Sequence, residues 1–175
     1  SPAARQVFEA VDDALNMRLS SIIWYGQLEE LTLTENAQPA LMASSMAILA
    51  VLKSEGLSLD FFEFVAGHSL GEYTALCAVK SISLENAAQL LKRRGLAMQS
   101  CVEPGEGAMA AILGLSAEQI DDILGNFTGK GICQIANDND PNQVVISGHR
   151  SAVEQIIELT KKKGARRALP LNVSA

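Results

Sequence analysis

The chain has 175 residues, 48% of them hydrophobic, and a formal net charge of −6 at pH 7. This length and composition allow a sizeable core in one domain or in a domain with a subdomain, and no apolar run approaches the ~20 residues that span a bilayer. The acidic balance disfavours nucleic acid as a partner. Three widely spaced cysteines without a metal pattern are expected to be small core residues in a reducing, cytoplasmic compartment.

The first part of the chain is predicted to be mainly helical. Ser1-Pro2 is typical of an N-cap followed by proline at the first helical position, so we expect the natural domain to begin upstream of this residue. A second helix is predicted from about Pro39 to Glu55, and Gly56 ends it. A third is predicted over roughly 84–101 with Ser83 as its N-cap.

Residues 67–71, Gly-His-Ser-Leu-Gly, are the most informative motif. They follow an apolar run at 61–66, predicted to be a strand, and precede a helix-compatible stretch at 72–78. The order strand, G-x-S-x-G turn and helix is that of a nucleophile elbow, in which Ser69 would attack an acyl carbon. The glycines allow the turn and leave room for a substrate, and the helix start offers N–H groups to an oxyanion. The alternative is a tight turn in which Ser69 is structural.

A serine nucleophile needs a base, and the two histidines are poor candidates. His68 adjoins Ser69, and neighbouring side chains at a sharp turn point apart, which leaves its ring only to shape the elbow. His149 follows a predicted strand and is interpreted as an exposed loop residue. The base is therefore either an unusual residue or absent from this chain.

Arg94 is the second candidate site residue. At ~100° per residue, Ala87, Leu91 and Met98 of the third predicted helix form one stripe, and Arg94 lies on its edge. A charge that faces the interior must find a partner or a ligand. Two interpretations stay open: Arg94 pairs with a buried carboxylate or extends to solvent, or it binds an anionic ligand.

The turn-rich residues 104–107 mark a boundary. After it the pattern predicts β-α-β-β-α-β, the ferredoxin-like arrangement, with strands at 108–113, 132–136, 144–147 and 167–173. Two capping boxes, Ser116 with Gln119 and Ser151 with Glu154, predict where the two helices start. Gly164 is predicted to end the second helix.

Two polar segments in this half are expected to have structural roles. Residues 137–142 are rich in Asn and Asp and are predicted to form a turn. They lack the spacing and the bidentate glutamate of a calcium loop, so no metal is expected there. The basic residues at 161–163 and 166–167 are interpreted as a solvated helix end.

The chain resembles the malonyl-CoA:acyl carrier protein transacylase family over essentially its whole length. Residues 67–73, Gly-His-Ser-Leu-Gly-Glu-Tyr, are similar to the active-site signature of that family. Further blocks match in order: 37–41, 94–95 with 97–99, 107–111 and 143–148. Related acyltransferase domains of polyketide and fatty-acid synthases share most of these blocks and remain an alternative.

The resemblance implies an α/β fold: a partial hydrolase-like, parallel-sheet subdomain with the elbow over residues 1–104, and a ferredoxin-like subdomain over 105–171. Residues 172–175 would return toward the large subdomain, and the active site would lie between the two. The family's Gly-Gln-Gly-Ser-Gln loop is expected before residue 1. Its catalytic histidine is expected after Ala175, so the chain as given is expected to be an internal stretch that lacks the base.

The resemblance also implies roles for individual residues. Ser69 would be the nucleophile, Leu70 would supply a backbone N–H to the oxyanion hole, and Arg94 would bind the malonyl carboxylate, with His68 as the elbow neighbour. The implied reaction moves a malonyl group from malonyl-CoA to the phosphopantetheine thiol of acyl carrier protein, for fatty acid biosynthesis. CoA and phosphopantetheine enter as substrates, and no cofactor, nucleic acid or membrane is expected. A serine thioesterase or other hydrolase, and a non-catalytic binding fragment, are the competing hypotheses; the hydrolase leaves Arg94 unexplained.

Overall fold

The computed structural model describes residues 1–103 and 105–171, and it places helices and strands in different parts of a mixed α/β chain. The chain divides into two units, Ser1–Gln99 and Ser100–Ala175, and each has its own hydrophobic core. The helices of the first unit are α1 (Pro2–Leu15), α2 (Leu19–Tyr25), α3 (Leu28–Leu31), α4 (Thr34–Ser54), α5 (Gly71–Ala78) and α6 (Leu84–Gln99).

Three predicted helix ends of the first unit are confirmed. Ser1 is the N-cap of α1, with Pro2 as its first residue. Gly56 follows α4 with φ +100°, a conformation that glycine adopts readily. The Ser83 hydroxyl accepts a 3.1 Å hydrogen bond from the Asn86 N–H in the first turn of α6.

The predicted start of α4 at Pro39 is wrong, because the helix begins at Thr34. The N–H groups of Asn36 and Ala37 both donate to the Leu33 carbonyl at 2.8 Å, so the first turn forms before the proline. Pro39 is then tolerated inside the helix at the cost of one backbone donor.

The strand predicted over 61–66 is not formed. Residues 59–61 are a short 3₁₀ helix, and 62–68 have no regular secondary structure. A strand needs a neighbour for its N–H and C=O groups, and residues 1–99, all described, contain no strand. The parallel sheet expected in this part of the chain is therefore not seen, and the apolar segment is exposed, with Phe61 at 78% and Phe64 at 86%.

The second unit contains a four-stranded sheet. Its strands are β1 (Gly107–Leu113), β2 (Cys133–Asp140), β3 (Gln143–His149) and β4 (Arg167–Pro170). They lie in the order β2-β3-β1-β4, and every neighbouring pair is antiparallel. Helix α7 (Ala117–Gly125) connects β1 to β2, and α8 (Arg150–Lys162) connects β3 to β4. The element order is thus the predicted β-α-β-β-α-β.

Alternate residues of the two central strands, β1 and β3, contribute to the core of this unit. Ala110 pairs with Ile146 and Ile112 with Val144 in the β1–β3 register, and all four are fully buried. They pack against apolar residues of both helices, namely Ile120, Ile123, Val153, Ile156 and Ile157.

One of the two predicted capping boxes is present. Ser116 and Gln119 exchange both hydrogen bonds at the start of α7. The box at Ser151 is wrong, because α8 begins at Arg150 with His149 as its N-cap. The reason is a contact with a residue distant in sequence: the Arg150 N–H donates to the Glu106 carbonyl at 2.7 Å, so the helix begins one residue earlier. Gly164, with φ +99°, follows the end of α8 as predicted.

The predicted Asn/Asp turn is shorter than expected. Residues 137–140 continue β2, and only 141–142 form the turn, where the Asp140 carboxylate accepts the Asn142 N–H at 2.9 Å. Two register shifts between β2 and β3 accommodate these polar residues. The last predicted strand is described only as far as 171, and the expected return at 172–175 lies outside the described residues.

The cysteines have three different environments, and none forms a disulfide. Cys77 is buried, Cys133 is half-buried, and Cys101 is exposed in the loop after α6, so the core prediction is wrong for Cys101. Burial raises the pKa of the Cys133 thiol to about 11 and also raises the pKa of Cys77. None of the described helices combines the length and hydropathy that crossing a membrane requires.

Candidate active site

Ser69 lies in a tight turn directly before α5. The Gly71 N–H donates to the His68 carbonyl at 2.8 Å and closes the turn. Ser69 itself has φ +55°, a left-handed conformation that is uncommon for residues other than glycine and that often marks functional sites. Its side chain is exposed at the start of the helix, which is the arrangement of a nucleophile elbow.

The two glycines of the motif have different roles. A Cβ on Gly67 would lie 1.9 Å from the Gly71 carbonyl oxygen and 2.7 Å from the Glu72 nitrogen, so the turn can close only if residue 67 has no side chain. A Cβ on Gly71 would meet no atom within 4 Å. A glycine is thus needed at position 67 because backbone atoms of the turn lie too close for a Cβ. At position 71 there is open space where a Cβ would lie.

The elbow is anchored to the core of the first unit by α5. Leu70 and Tyr73 pack against this core, and Cys77 is buried in it, so the contacts repeat at helical spacing. On α6, Ala87 and Leu91 are fully buried in the same core, as the predicted stripe requires.

Arg94 on α6 contacts the candidate nucleophile directly. Its Nη2 donates to the Ser69 Oγ at 3.1 Å, and its Nη1 donates to the Gln38 Oε1. The salt bridges of the described residues join other pairs, Arg18–Asp12, Lys92–Glu35 and Lys161–Glu158. Among the described residues, Arg94 therefore has no carboxylate with which to form the buried ion pair of the first interpretation. A half-buried cation, to which residues 1–103 and 105–171 supply no carboxylate partner, lies beside Ser69.

Gln38 is the site residue that sequence analysis missed. It is only 4% exposed, and its Nε2 donates to the Met98 Sδ at 3.3 Å while its Oε1 accepts from Arg94. Met98 is 37% exposed and so departs from the buried stripe. The available signal was a glutamine directly before the mainly apolar stretch at 39–52, because a polar side chain that is buried with such a stretch must find a hydrogen-bond partner.

Leu70 presents a backbone donor at the same turn. Its carbonyl accepts the N–H groups of Tyr73 and Thr74 at 3.1 and 3.4 Å. The hydrogen bonds of the described residues leave the Leu70 N–H itself without a protein acceptor. The N–H of the residue after the serine is the group that a nucleophile elbow directs at a developing oxyanion.

The structure does not supply a base from the two histidines. His68 is an exposed neighbour of Ser69 within the turn. His149 ends β3, and its Nδ1 accepts the Ile132 N–H at 2.9 Å, so that nitrogen is already occupied. Within the described ranges, no group of three or more His, Cys, Asp or Glu side chains is arranged to hold a metal ion.

Comparison with known proteins identifies the family. The acyl transferase domain family matches residues 1–175 of the chain. The chain belongs to this family. Among curated proteins, this acyl transferase domain is 48% identical over 174 residues to the malonyl CoA-acyl carrier protein transacylase of Bacillus subtilis, an alignment that covers 99% of the chain and 54% of that protein.

Solved structures give the same relationship. The acyl transferase domain superposes with a TM-score of 0.94 on the acyl-carrier-protein-S-malonyltransferase from Bartonella henselae, with 53% identity over 100% of this chain and 56% of that one. A structure of a type II PKS acyl-carrier protein in complex with its malonyl-transacylase matches with a TM-score of 0.93 and 40% identity, again over 100% and 56% of the two chains. The chain thus spans about half the length of the relatives that it matches.

Proposed function

We propose that this acyl transferase domain contributes the nucleophile and the acyl-group binding residue of an S-malonyltransferase for fatty acid biosynthesis. The donor is malonyl-CoA and the acceptor is the phosphopantetheine thiol of acyl carrier protein. The observation that carries the proposal is the 3.1 Å contact between Arg94 Nη2 and Ser69 Oγ, made by an arginine that no described carboxylate neutralises. The names of the Bacillus subtilis and Bartonella henselae relatives support the choice of substrates.

Ser69 carries the covalent step. Its Oγ attacks the thioester carbonyl carbon of malonyl-CoA, the hydroxyl proton passes to a base, and a tetrahedral oxyanion forms. Cleavage of the C–S bond leaves malonyl-Ser69, and the CoA sulfur takes up the proton. The carrier-protein thiol then attacks the ester and reverses these steps, which regenerates the Ser69 hydroxyl. The base in this proposal is the histidine that the resemblance places after Ala175, and no cofactor takes part.

Arg94 selects the acyl group. A guanidinium can hold a carboxylate through two parallel charge-assisted hydrogen bonds, and it has more N–H donors than its contacts with Ser69 and Gln38 use. A malonyl group bound to Ser69 has its free carboxylate only a few bonds from Oγ, within reach of this cation. An acetyl group has no carboxylate and gains nothing from Arg94.

Leu70 stabilises the transition state in this proposal. Its N–H has no acceptor among the described residues, so it is available to the carbonyl oxygen as negative charge develops. Loss of one such donor typically costs about 100- to 1000-fold in rate. His68 has no chemical role in the proposal beyond shaping the turn.

The proposal includes the architecture around the site. We assign residues 1–104 to a hydrolase-like subdomain, on the elbow and the helix after it, and residues 105–171 to a ferredoxin-like one, on the strand order β2-β3-β1-β4. A cytoplasmic location agrees with three cysteines that form no disulfide. The solved complex of a type II PKS carrier protein supports a polyketide carrier protein as the alternative acceptor.

Mass spectrometry of the Ser69 peptide tests the chemistry. After incubation of the full-length protein with malonyl-CoA, we expect one malonyl group on this peptide. Ser69→Ala should abolish the label, whereas Ser83→Ala, which removes only the N-cap hydroxyl of α6, should retain it. A label on another residue, or an unlabelled Ser69 peptide, would contradict the proposal.

The fate of the label separates transfer from hydrolysis. The isolated malonyl-enzyme is mixed with buffer alone or with phosphopantetheinylated acyl carrier protein. We expect the label to persist in buffer and to move to the carrier-protein thiol when that protein is added. Rapid loss in buffer would favour a serine thioesterase or other hydrolase on the same elbow.

A further inference from the structure

We propose that Gln38 is a positioning residue, which holds the Arg94 guanidinium in the orientation that receives the malonyl carboxylate without neutralising its charge. The inference rests on the proposed function and deepens it. It assigns part of the acyl-group selectivity to a buried residue of α4 that acts only through Arg94.

Both ends of the Gln38 amide are held. Its Oε1 accepts from Arg94 Nη1, and its Nε2 donates to the Met98 Sδ at 3.3 Å. The two partners lie one turn apart on α6, so they fix which way the amide faces. Because Gln38 is only 4% exposed, the contact with Arg94 is made away from bulk water, where a charge-assisted hydrogen bond is strongest.

The Gln38 side chain is uncharged, so it can hold Arg94 without neutralising the guanidinium. A carboxylate at position 38 would pair with Arg94 and compete with the substrate for the same cation. An amide oxygen satisfies one guanidinium N–H and leaves the positive charge in place. The Nη2 side of Arg94 therefore remains directed at Ser69, where the acyl group is attached.

The crossing of α4 and α6 makes this contact rigid. A Cβ on Gly95 would lie 2.4 Å from the Glu35 Cα, so the two helix backbones touch one residue away from Arg94. Lys92 ties the same helices through a 3.2 Å contact with the Glu35 carboxylate and a 3.0 Å contact with the Asn36 Oδ1. The position of Gln38 relative to Arg94 is thus set by backbone packing as well as by side chains.

Asn36 provides a matched control. It is also a buried amide of α4, 4% exposed, and it also accepts from a cation of α6, but that cation is Lys92 and not Arg94. A merely structural role for Gln38 predicts that the two amides behave alike. A positioning role predicts that only Gln38 changes the preference for malonyl over acetyl groups.

The test compares Gln38→Leu, Gln38→Glu, Asn36→Leu and Arg94→Ala in the full-length protein. For each, kcat/KM is measured for acylation of Ser69 by malonyl-CoA and by acetyl-CoA. We expect Gln38→Leu to lower the malonyl-to-acetyl ratio about 10-fold, mainly through KM for malonyl-CoA, as loss of a hydrogen bond to a charged group predicts. Gln38→Glu should lower it at least as much, because the new carboxylate competes for Arg94. Asn36→Leu should change the ratio by less than about twofold.

Each outcome has one meaning. If both Gln38 variants keep the ratio of the wild-type protein while Arg94→Ala loses it, the inference about Gln38 is overturned and the proposed function stands. An equal loss in Asn36→Leu and Gln38→Leu would also overturn it. If Arg94→Ala keeps the ratio, the proposed function itself is contradicted. Should Gln38→Leu fail to fold, the near-isosteric Gln38→Glu decides.

Discussion

Gly67→Ala should nearly abolish acylation of Ser69. The new Cβ would lie 1.9 Å from the Gly71 carbonyl oxygen and 2.0 Å from its carbonyl carbon, and both are backbone atoms that cannot rotate away. The turn must open to relieve this overlap, and Ser69 then loses its place beside Arg94. A displacement of about 1 Å can cost on the order of 100-fold in rate, so we expect at least that loss in malonyl labelling.

Gly71→Ala is the matched control for this prediction. It belongs to the same motif, yet a Cβ there meets no atom within 4 Å. We expect Gly71→Ala to fold with the thermal stability of the wild-type protein, whereas Gly67→Ala should lower the Tm as well as the labelling rate. Equal effects of the two substitutions on Tm would contradict the assigned backbone role of Gly67.

Gly95→Ala should destabilise the protein although it replaces a glycine inside a helix. Such a change usually stabilises by up to about 1 kcal/mol. Here the Cβ would lie 2.4 Å from the Glu35 Cα and 2.6 Å from the Thr34 carbonyl oxygen, so α4 and α6 must separate. We expect the free energy of unfolding to fall by about 1–3 kcal/mol, measured by denaturant titration. Malonyl labelling should fall too, because Arg94 and Gln38 are held by this crossing.

Gly125→Ala is the control in the second unit. Gly125 is the last residue of α7, and a Cβ there meets no atom within 4 Å. This variant should be as stable as the wild-type protein or slightly more so. If Gly95→Ala matched it in stability, the close approach of α4 and α6 would not be a feature of the molecule in solution.

The sequence predicted best those elements that local chemistry determines. The Ser116 capping box, the Ser83 cap and the glycines after α4 and α8 all depend on a few neighbouring residues, and all are confirmed. The strands of the second unit were predictable because they contain short continuous apolar runs, such as 108–113 and 144–146, with turn residues nearby.

The failures depend on partners distant in sequence. The apolar run at 61–66 has strand-forming composition, but no strand of residues 1–99 lies beside it. Ser151 has the composition of a cap, yet the Arg150 contact with Glu106 moves the helix start. Neither partner can be deduced from the local pattern.

In the candidate site too, the features that depend on neighbouring residues were predictable, and the contact between residues distant in sequence was not. The motif around Ser69 was evident from five residues, because a nucleophile elbow is a local backbone structure. The helical spacing of residues 87–98 placed Arg94 at the edge of the apolar stripe, but it did not determine whether its partner is a carboxylate of the protein or a ligand. Gln38 was not singled out, since its contact with Arg94 spans 56 positions and exists only because α4 and α6 cross there.

The central claim is that Arg94 recognises the malonyl carboxylate beside Ser69. The most direct measurement is the rate of Ser69 acylation by malonyl-CoA and by acetyl-CoA in full-length Arg94→Ala. Loss of a charge-assisted contact worth about 1.5–3 kcal/mol should lower the malonyl rate by roughly 10- to 100-fold or more and leave the acetyl rate nearly unchanged. An equal loss for both acyl groups would contradict the claim.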